Sequence, residues 1–111
     1  MEITNEKFLR KKENRIKSSI SHGEIHFIAT FNFLHKYYTL NTLAGKTPVL
    51  SVFDAIYIKN LDLPAWKLAI YCNVSRTTLF NYRNAIVKDF YICLQQKLIS
   101  KEISITDGEK L

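Results

Sequence analysis

Cysteine, proline and glycine are all scarce in this 111-residue sequence: two, two and three respectively. Each shortage excludes a class of protein. Cys72 and Cys93 stand 21 positions apart inside helical patterns, so they read as small buried hydrophobes of a reducing compartment and not as a disulfide framework. So little glycine and proline, beside so much apolar residue, suits a compact helical protein and not a disordered one. Membrane-scale apolar runs are also missing, since no stretch approaches about 18 uncharged apolar residues. The first residues mix acids and bases where a secretion signal would be apolar. The expectation is a cytoplasmic protein without a membrane partner.

The signatures of catalysis are lacking too. Gly45-Lys46-Thr47 looks like the end of a phosphate-binding loop, but that loop needs a glycine five residues before Gly45, and Leu40 is there. His22 and His26 are four apart without the HExxH order of a zinc protease, and the His-Gly-Glu beginning at His22 has no PCxxC partner. Ser75 and Cys72 have no histidine and carboxylate near them in a pattern that would make either a nucleophile. We therefore expect a protein that is not an enzyme and that needs no metal and no cofactor.

What is present is apolar, aromatic and basic. The chain is 47% hydrophobic and 13% aromatic, enough for one helical domain with its own core. Residues 1–22 carry the block KFLRKKENRIK, with Leu9, Ile16 and Ile20 on one helical face, which predicts a basic helix or arm. Ser21-His22-Gly23 breaks that pattern. Residues 23–99 form the helical domain, beginning with Phe27, Ile28, Phe31, Leu34 and Tyr38 at helical spacing. Gly45 suits a left-handed cap, and Thr47-Pro48 suits the opening of a helix over residues 49–60 with Leu50, Phe53, Ile56 and Tyr57 inward. Pro64 marks another helix start. After Tyr82 the pattern Ile86, Phe90, Cys93, Leu94 runs to about Leu98, and residues 100–111 are expected to be a flexible tail. The predicted fold is all-α, a compact bundle of about five helices.

The densest signal lies at Ala65 to Asn84, AWKLAIYCNVSRTTLFNYRN. Two helices crossing over a tight turn need a small residue in the first, and Ala69 supplies it. They need a turn residue that tolerates positive φ, and Asn73 can, because its short side chain bonds locally to the backbone. Val74 follows as the buried turn residue. Ser75 can cap the next helix by accepting from its first free amides. Leu68, Cys72, Leu79 and Tyr82 take the core positions. These slots together predict a helix-turn-helix with a long recognition helix.

Charge extends the reading. Net charge is +6, and between Lys59 and Lys97 six basic residues face only Asp62 and Asp89, an excess of +4. Such a surface attracts phosphate and releases counterions. The candidate DNA-binding residues are Lys67, Ser75, Arg76, Thr77, Thr78, Phe80, Asn81, Arg83, Asn84 and Lys88. Arg76, Thr77, Asn81 and Asn84 would enter the major groove, Arg76 suited to guanine and Asn81 to adenine, while Ser75, Lys67, Arg83 and Lys88 would hold phosphates.

The string from Phe53 to Lys88, FDAIYIKNLDLPAWKLAIYCNVSRTTLFNYRNAIVK, resembles the fourth region of sigma factors and, within that group, the ArpU/RinA-like phage activators of late transcription. The similarity is carried by Ala55-Ile56-Tyr57-Ile58 before the motif, Leu68-Ala69, Val74-Ser75-Arg76-Thr77-Thr78 at the turn, and Tyr82 followed by Arg83 and Ala85. It covers about a third of the chain, and Asn73 stands where the turn glycine is usual. The resemblance implies a transcriptional regulator of a phage or mobile element that binds double-stranded DNA near a promoter and touches RNA polymerase.

Two expectations concern partners. A single recognition helix rarely suffices for tight site-specific binding, so a homodimer is expected. Its interface would use the stripe Phe27, Phe31, Phe33, Leu34, Tyr37, Tyr38 or the segment Phe90, Tyr91, Leu94. The alternative function is a protein-interaction module that grips another protein through Phe33, Tyr37 and Phe80.

Overall fold

The structure is a computed structural model that describes the backbone of residues 2–45 and 48–110 and the side chains of residues 6–45 and 48–96. It is all-helical: α1 (Glu2–Ser21), α2 (Ile25–Leu43), α3 (Val49–Phe53) continuing into a π-helical segment (Asp54–Ile58), α4 (Ala65–Cys72) and α5 (Arg76–Lys110). No strand occurs among the described residues.

Local chemistry sets most of these boundaries. Gly23 (φ 79°) and Gly45 (φ 71°) adopt the left-handed conformation that follows α1 and α2, a region in which a Cβ is strained. Lys46 and Thr47 lie outside the described residues, so the Thr47 cap does too; Pro48 immediately precedes α3. The helix predicted over 49–60 is present, but its second half widens. The amide of Lys59 donates to the Asp54 carbonyl at 2.7 Å and that of Leu61 to Ala55 at 2.9 Å, and Asn60 ends the segment at φ 53°. Phe53 and Ile56 are buried as expected, and Leu50 and Tyr57 half-buried.

α5 is the central element, packed against α1, α2, α3 and α4. Leu79, Ile86, Val87, Phe90 and Leu94 form its buried stripe, on one side of the helix at intervals close to whole turns apart from the adjacent pair Ile86 and Val87. From the other elements come Leu9, Ile16, Leu34, Tyr38, Val52, Phe53, Ile56 and Leu68. Phe53 is the hub of an aromatic ladder, with ring centres 5.3 Å from Phe31, 5.4 Å from Tyr38 and 5.3 Å from Tyr57, and Tyr57 continues it to Phe90 at 5.6 Å.

Of the helix and the arm offered for residues 1–22, the helix is present: α1 packs on α2 and α5 with Leu9 and Ile16 buried. Two expectations change. The backbone of α5 is helical to Lys110, beyond the end set near Leu98 by periodicity and across the segment read as a tail. Leu34, Tyr38, Phe90 and Leu94, read as spare dimer surface, are buried inside the chain, and Phe27, Phe31 and Tyr91 are half-buried. Five helices meeting on one hub consume these side chains within the bundle.

Candidate nucleic-acid interface

The turn between α4 and α5 is built from its own residues. Asn73 is left-handed, φ 57° and ψ 46°. The amide of Val74 reaches back to the Ala69 carbonyl at 3.0 Å and that of Asn73 to Ile70 at 3.1 Å, the paired bonds of a Schellman helix end. Ser75 then opens α5: its Oγ accepts from the Thr78 amide at 3.0 Å and donates to Thr78 Oγ1 at 2.8 Å, satisfying a first-turn donor that the helix leaves free.

This capped start presents an exposed face. Thr77, Asn81, Asn84 and Lys88 are all exposed, and their i, i+4, i+7, i+11 spacing aligns them along one side of α5 over about 16 Å. No acidic residue occurs from Arg76 to Lys88. The next residue, Asp89, accepts a 2.6 Å bond from the Tyr38 hydroxyl. Burial and that bond hold the Tyr38 phenol neutral and raise its pKa far above its ordinary value. Lys88 and Arg76 make no ion pair among the described residues, so their charges face solvent.

The other candidates are placed differently. Arg76 and Phe80 lie on the flank of α5, where with Glu6, Ala65, Thr77 and Arg83 they line a cleft of about 280 Å³. Phe80 is half-buried against the core, so only part of its ring is open to that cleft. Asn84 donates its side-chain amide to the Phe80 carbonyl at 3.0 Å, which ties it to its own helix. Ser75 and Thr78 are committed to the cap. Lys67 belongs to α4, and its ammonium lies 5.3 Å from the centre of the Trp66 ring.

Arg83 is the main correction. Read as a phosphate contact, it is instead 1% exposed, the largest fully buried side chain among the described residues. Its Nε and Nη2 donate to the two oxygens of Glu13 at 3.0 and 2.7 Å, and its Nη1 donates to both oxygens of Glu6 at 2.8 and 2.9 Å. Burial opposes the guanidinium charge, but the bonds and charges of Glu13 and Glu6 outweigh it and raise the pKa. Arg83 therefore clamps α1 to α5 and adds nothing to the outward field. The spacing held a signal for this: Arg83 falls on the Leu79–Ile86–Phe90 stripe, and Glu13 on the Leu9–Ile16–Ile20 stripe. Opposite charges placed on two apolar stripes identify a buried pair.

Three hydrogen bonds extend the clamp into the loop before α4. Arg10 donates to Asp62 Oδ1 and to the Leu63 carbonyl, both at 3.2 Å, and Lys17 to Asn60 Oδ1 at 2.9 Å. α1 thereby supports the α4–α5 unit from behind. Its own Lys7, Lys11, Lys12 and Arg15 are exposed. Among the described residues no three histidine, cysteine or carboxylate side chains converge as a metal site would require, and no helix is long and apolar enough to cross a membrane. No protein-family model matches the chain, and no curated protein or solved structure matches it.

Proposed function

We propose that the protein is a sequence-specific DNA-binding transcriptional regulator in which α4, the Asn73-Val74-Ser75 turn and α5 work as a helix-turn-helix. One observation carries the reading: a capped helix start followed by an exposed stripe of Thr77, Asn81, Asn84 and Lys88 with no acidic residue along it. A major groove admits one helix, and short polar side chains along its exposed side reach base edges without clash. In this reading Asn81 pairs with adenine, Arg76 enters from the flank toward guanine, Thr77 contacts either base type, and Lys88 meets a phosphate. Asn84 contributes only through its free carbonyl oxygen. The buried clamp of Arg83 fixes the orientation of α5 against α1.

The resemblance to sigma region 4 and the phage late activators adds a promoter-proximal site and RNA polymerase as a second partner. A second copy of the chain doubles the contacts on a two-fold site. The exposed Phe33, Tyr37 and Leu40 of α2 support that pairing, the first two with rings 6.3 Å apart.

The decisive experiment is a gel shift on random-sequence duplex DNA at low and high salt, followed by selection of a preferred site. Binding at low salt that weakens steeply with salt, and one enriched sequence, are expected. Absence of any shift at low salt would refute DNA binding and leave a protein-interaction role.

A further inference from the structure

α4 has a second face, from which the DNA reading takes only Lys67, as a candidate phosphate contact. The helix buries Leu68, Ala69 and Cys72, and its opposite arc carries Trp66, Ile70 and Tyr71, which are 50%, 72% and 49% exposed. Lys67 lies in the middle of that arc. Single exposed hydrophobes are ordinary, but three on one side of an eight-residue helix form a patch of the kind that marks an interface. Helical spacing puts this arc on the side of α4 away from Ala65 and Ala69, through which the helix adjoins the start of α5. The arc and the polar stripe of α5 are separate surfaces.

The rim of the patch is cationic. Lys59 donates to the Tyr71 hydroxyl and its ammonium lies 5.1 Å from that ring's centre. Lys67 lies over Trp66. Neither lysine forms an ion pair among the described residues, and α4 contains no acidic residue. Bonding to Tyr71 raises the Lys59 pKa, which keeps it charged.

We propose that this arc docks an acidic amphipathic segment of a protein partner. Apolar anchors of that segment, at helical i, i+3, i+4 spacing, cover Trp66 and Ile70, and its carboxylates pair with Lys59 and Lys67. Charge complementarity selects the partner: the arc offers apolar area edged by Lys59 and Lys67, with no acidic residue on α4 itself. Nucleic acid fits it less well. A duplex backbone has little apolar surface to bury Ile70, and the ring faces on which single-stranded bases would stack already hold lysine ammonium groups. The inference does not depend on DNA binding.

The chain's one tryptophan is Trp66, so its fluorescence reports on the patch directly. Helix-length random peptides are selected by display on the full chain and counter-selected on Ile70→Asp, a change at an exposed position. Both proteins are first compared by thermal melt. The expected winners are acid-rich with apolar residues at i, i+3, i+4, shift Trp66 emission to shorter wavelength, and lose at least about tenfold in affinity to Ile70→Ser and to Lys59→Glu. Winners that are basic, or that bind Lys59→Glu as well as the parent, would overturn the proposal. So would failure to recover any peptide that distinguishes Ile70→Asp. Saturable quenching of Trp66 by oligo(dT), abolished by Ile70→Asp, would overturn it in favour of single-stranded nucleic acid. Duplex binding in the gel shift is expected to be unchanged by Ile70→Asp, which keeps the two readings distinguishable.

Discussion

Truncating Arg83 should be far more damaging than truncating any other basic side chain of the protein. Arg83→Ala removes every bond that Arg83 makes in the clamp and leaves Glu13, itself only 3% exposed, without its hydrogen-bonded counterion in the interior. Breaking a buried pair in this way costs about 3–5 kcal/mol, because the remaining ion has lost its hydration and gained nothing in exchange. Total stability of a domain this size is about 5–15 kcal/mol, so the loss is a large part of it. At about 4 °C per kcal/mol the melting temperature should fall by about 12–20 °C. Glu6 retains some exposure, 28% of its side chain, and can rehydrate. The control is Arg10, whose partner Asp62 is 96% exposed; Arg10→Ala should cost about 0–1 kcal/mol. The assay is a thermal melt by far-ultraviolet circular dichroism at neutral pH, at low and high salt. The Arg83 effect should be nearly independent of salt, since a buried pair is poorly screened. Glu13→Gln placed in the Arg83→Ala background should recover much of the loss, and Arg83→Met with Glu13→Leu should melt near the parent or above it. An Arg83→Ala protein melting within about 2 °C of the parent would show that the triad does not hold α1 to α5, and the argument from burial would fall.

Four other outcomes are expected. Asn73→Gly should be neutral or slightly stabilising, whereas Asn73→Val should cost about 1–2 kcal/mol, because a branched Cβ is strained at φ 57°; equal melts for the two would mean the turn lies elsewhere. The Tyr38 phenol has a raised pKa in the fold from burial and from its bond to Asp89, so its stabilisation is complete below its unfolded value near 10. Above that pH the unfolded chain ionises while the fold resists, and stability should decline as pH rises; Tyr38→Phe should flatten the decline in denaturant titrations, at about 0.5–1.5 kcal/mol lost at neutral pH. On a selected DNA site, Asn81→Ala should cost about 1–3 kcal/mol with relaxed choice at one base, while Lys88→Ala should weaken all sequences alike and reduce the salt slope by about one; unchanged binding by both would remove α5 from the groove. Light scattering at micromolar concentration should give twice the chain mass of 13.0 kDa, and Tyr37→Glu should return it to one copy; a parent that stays at one copy as concentration rises would refute the dimer.

The sequence alone determined whatever depends on neighbours along the chain. Asn73 could be placed in the left-handed region and Ser75 at the head of α5 because the bonds that require them span three to five residues. Gly23 and Gly45 ended their helices for the same local reason, and the 3.6-residue period located the buried side of each long helix. What only the tertiary structure decided depends on residues that meet from far apart. Arg83 lies 70 positions from Glu13 and 77 from Glu6, so a residue that looks like a phosphate contact in a basic stretch becomes an internal clamp once α1 folds onto α5. Phe90 and Leu94 looked surplus until the bundle buried them, Phe90 against the Tyr57 ring. Trp66 and Tyr71 gave no hint of exposure, because a short helix with apolar residues on two sides does not say which side its neighbours will cover. Periodicity fixes which residues share a face; only packing across the bundle fixes which face meets water.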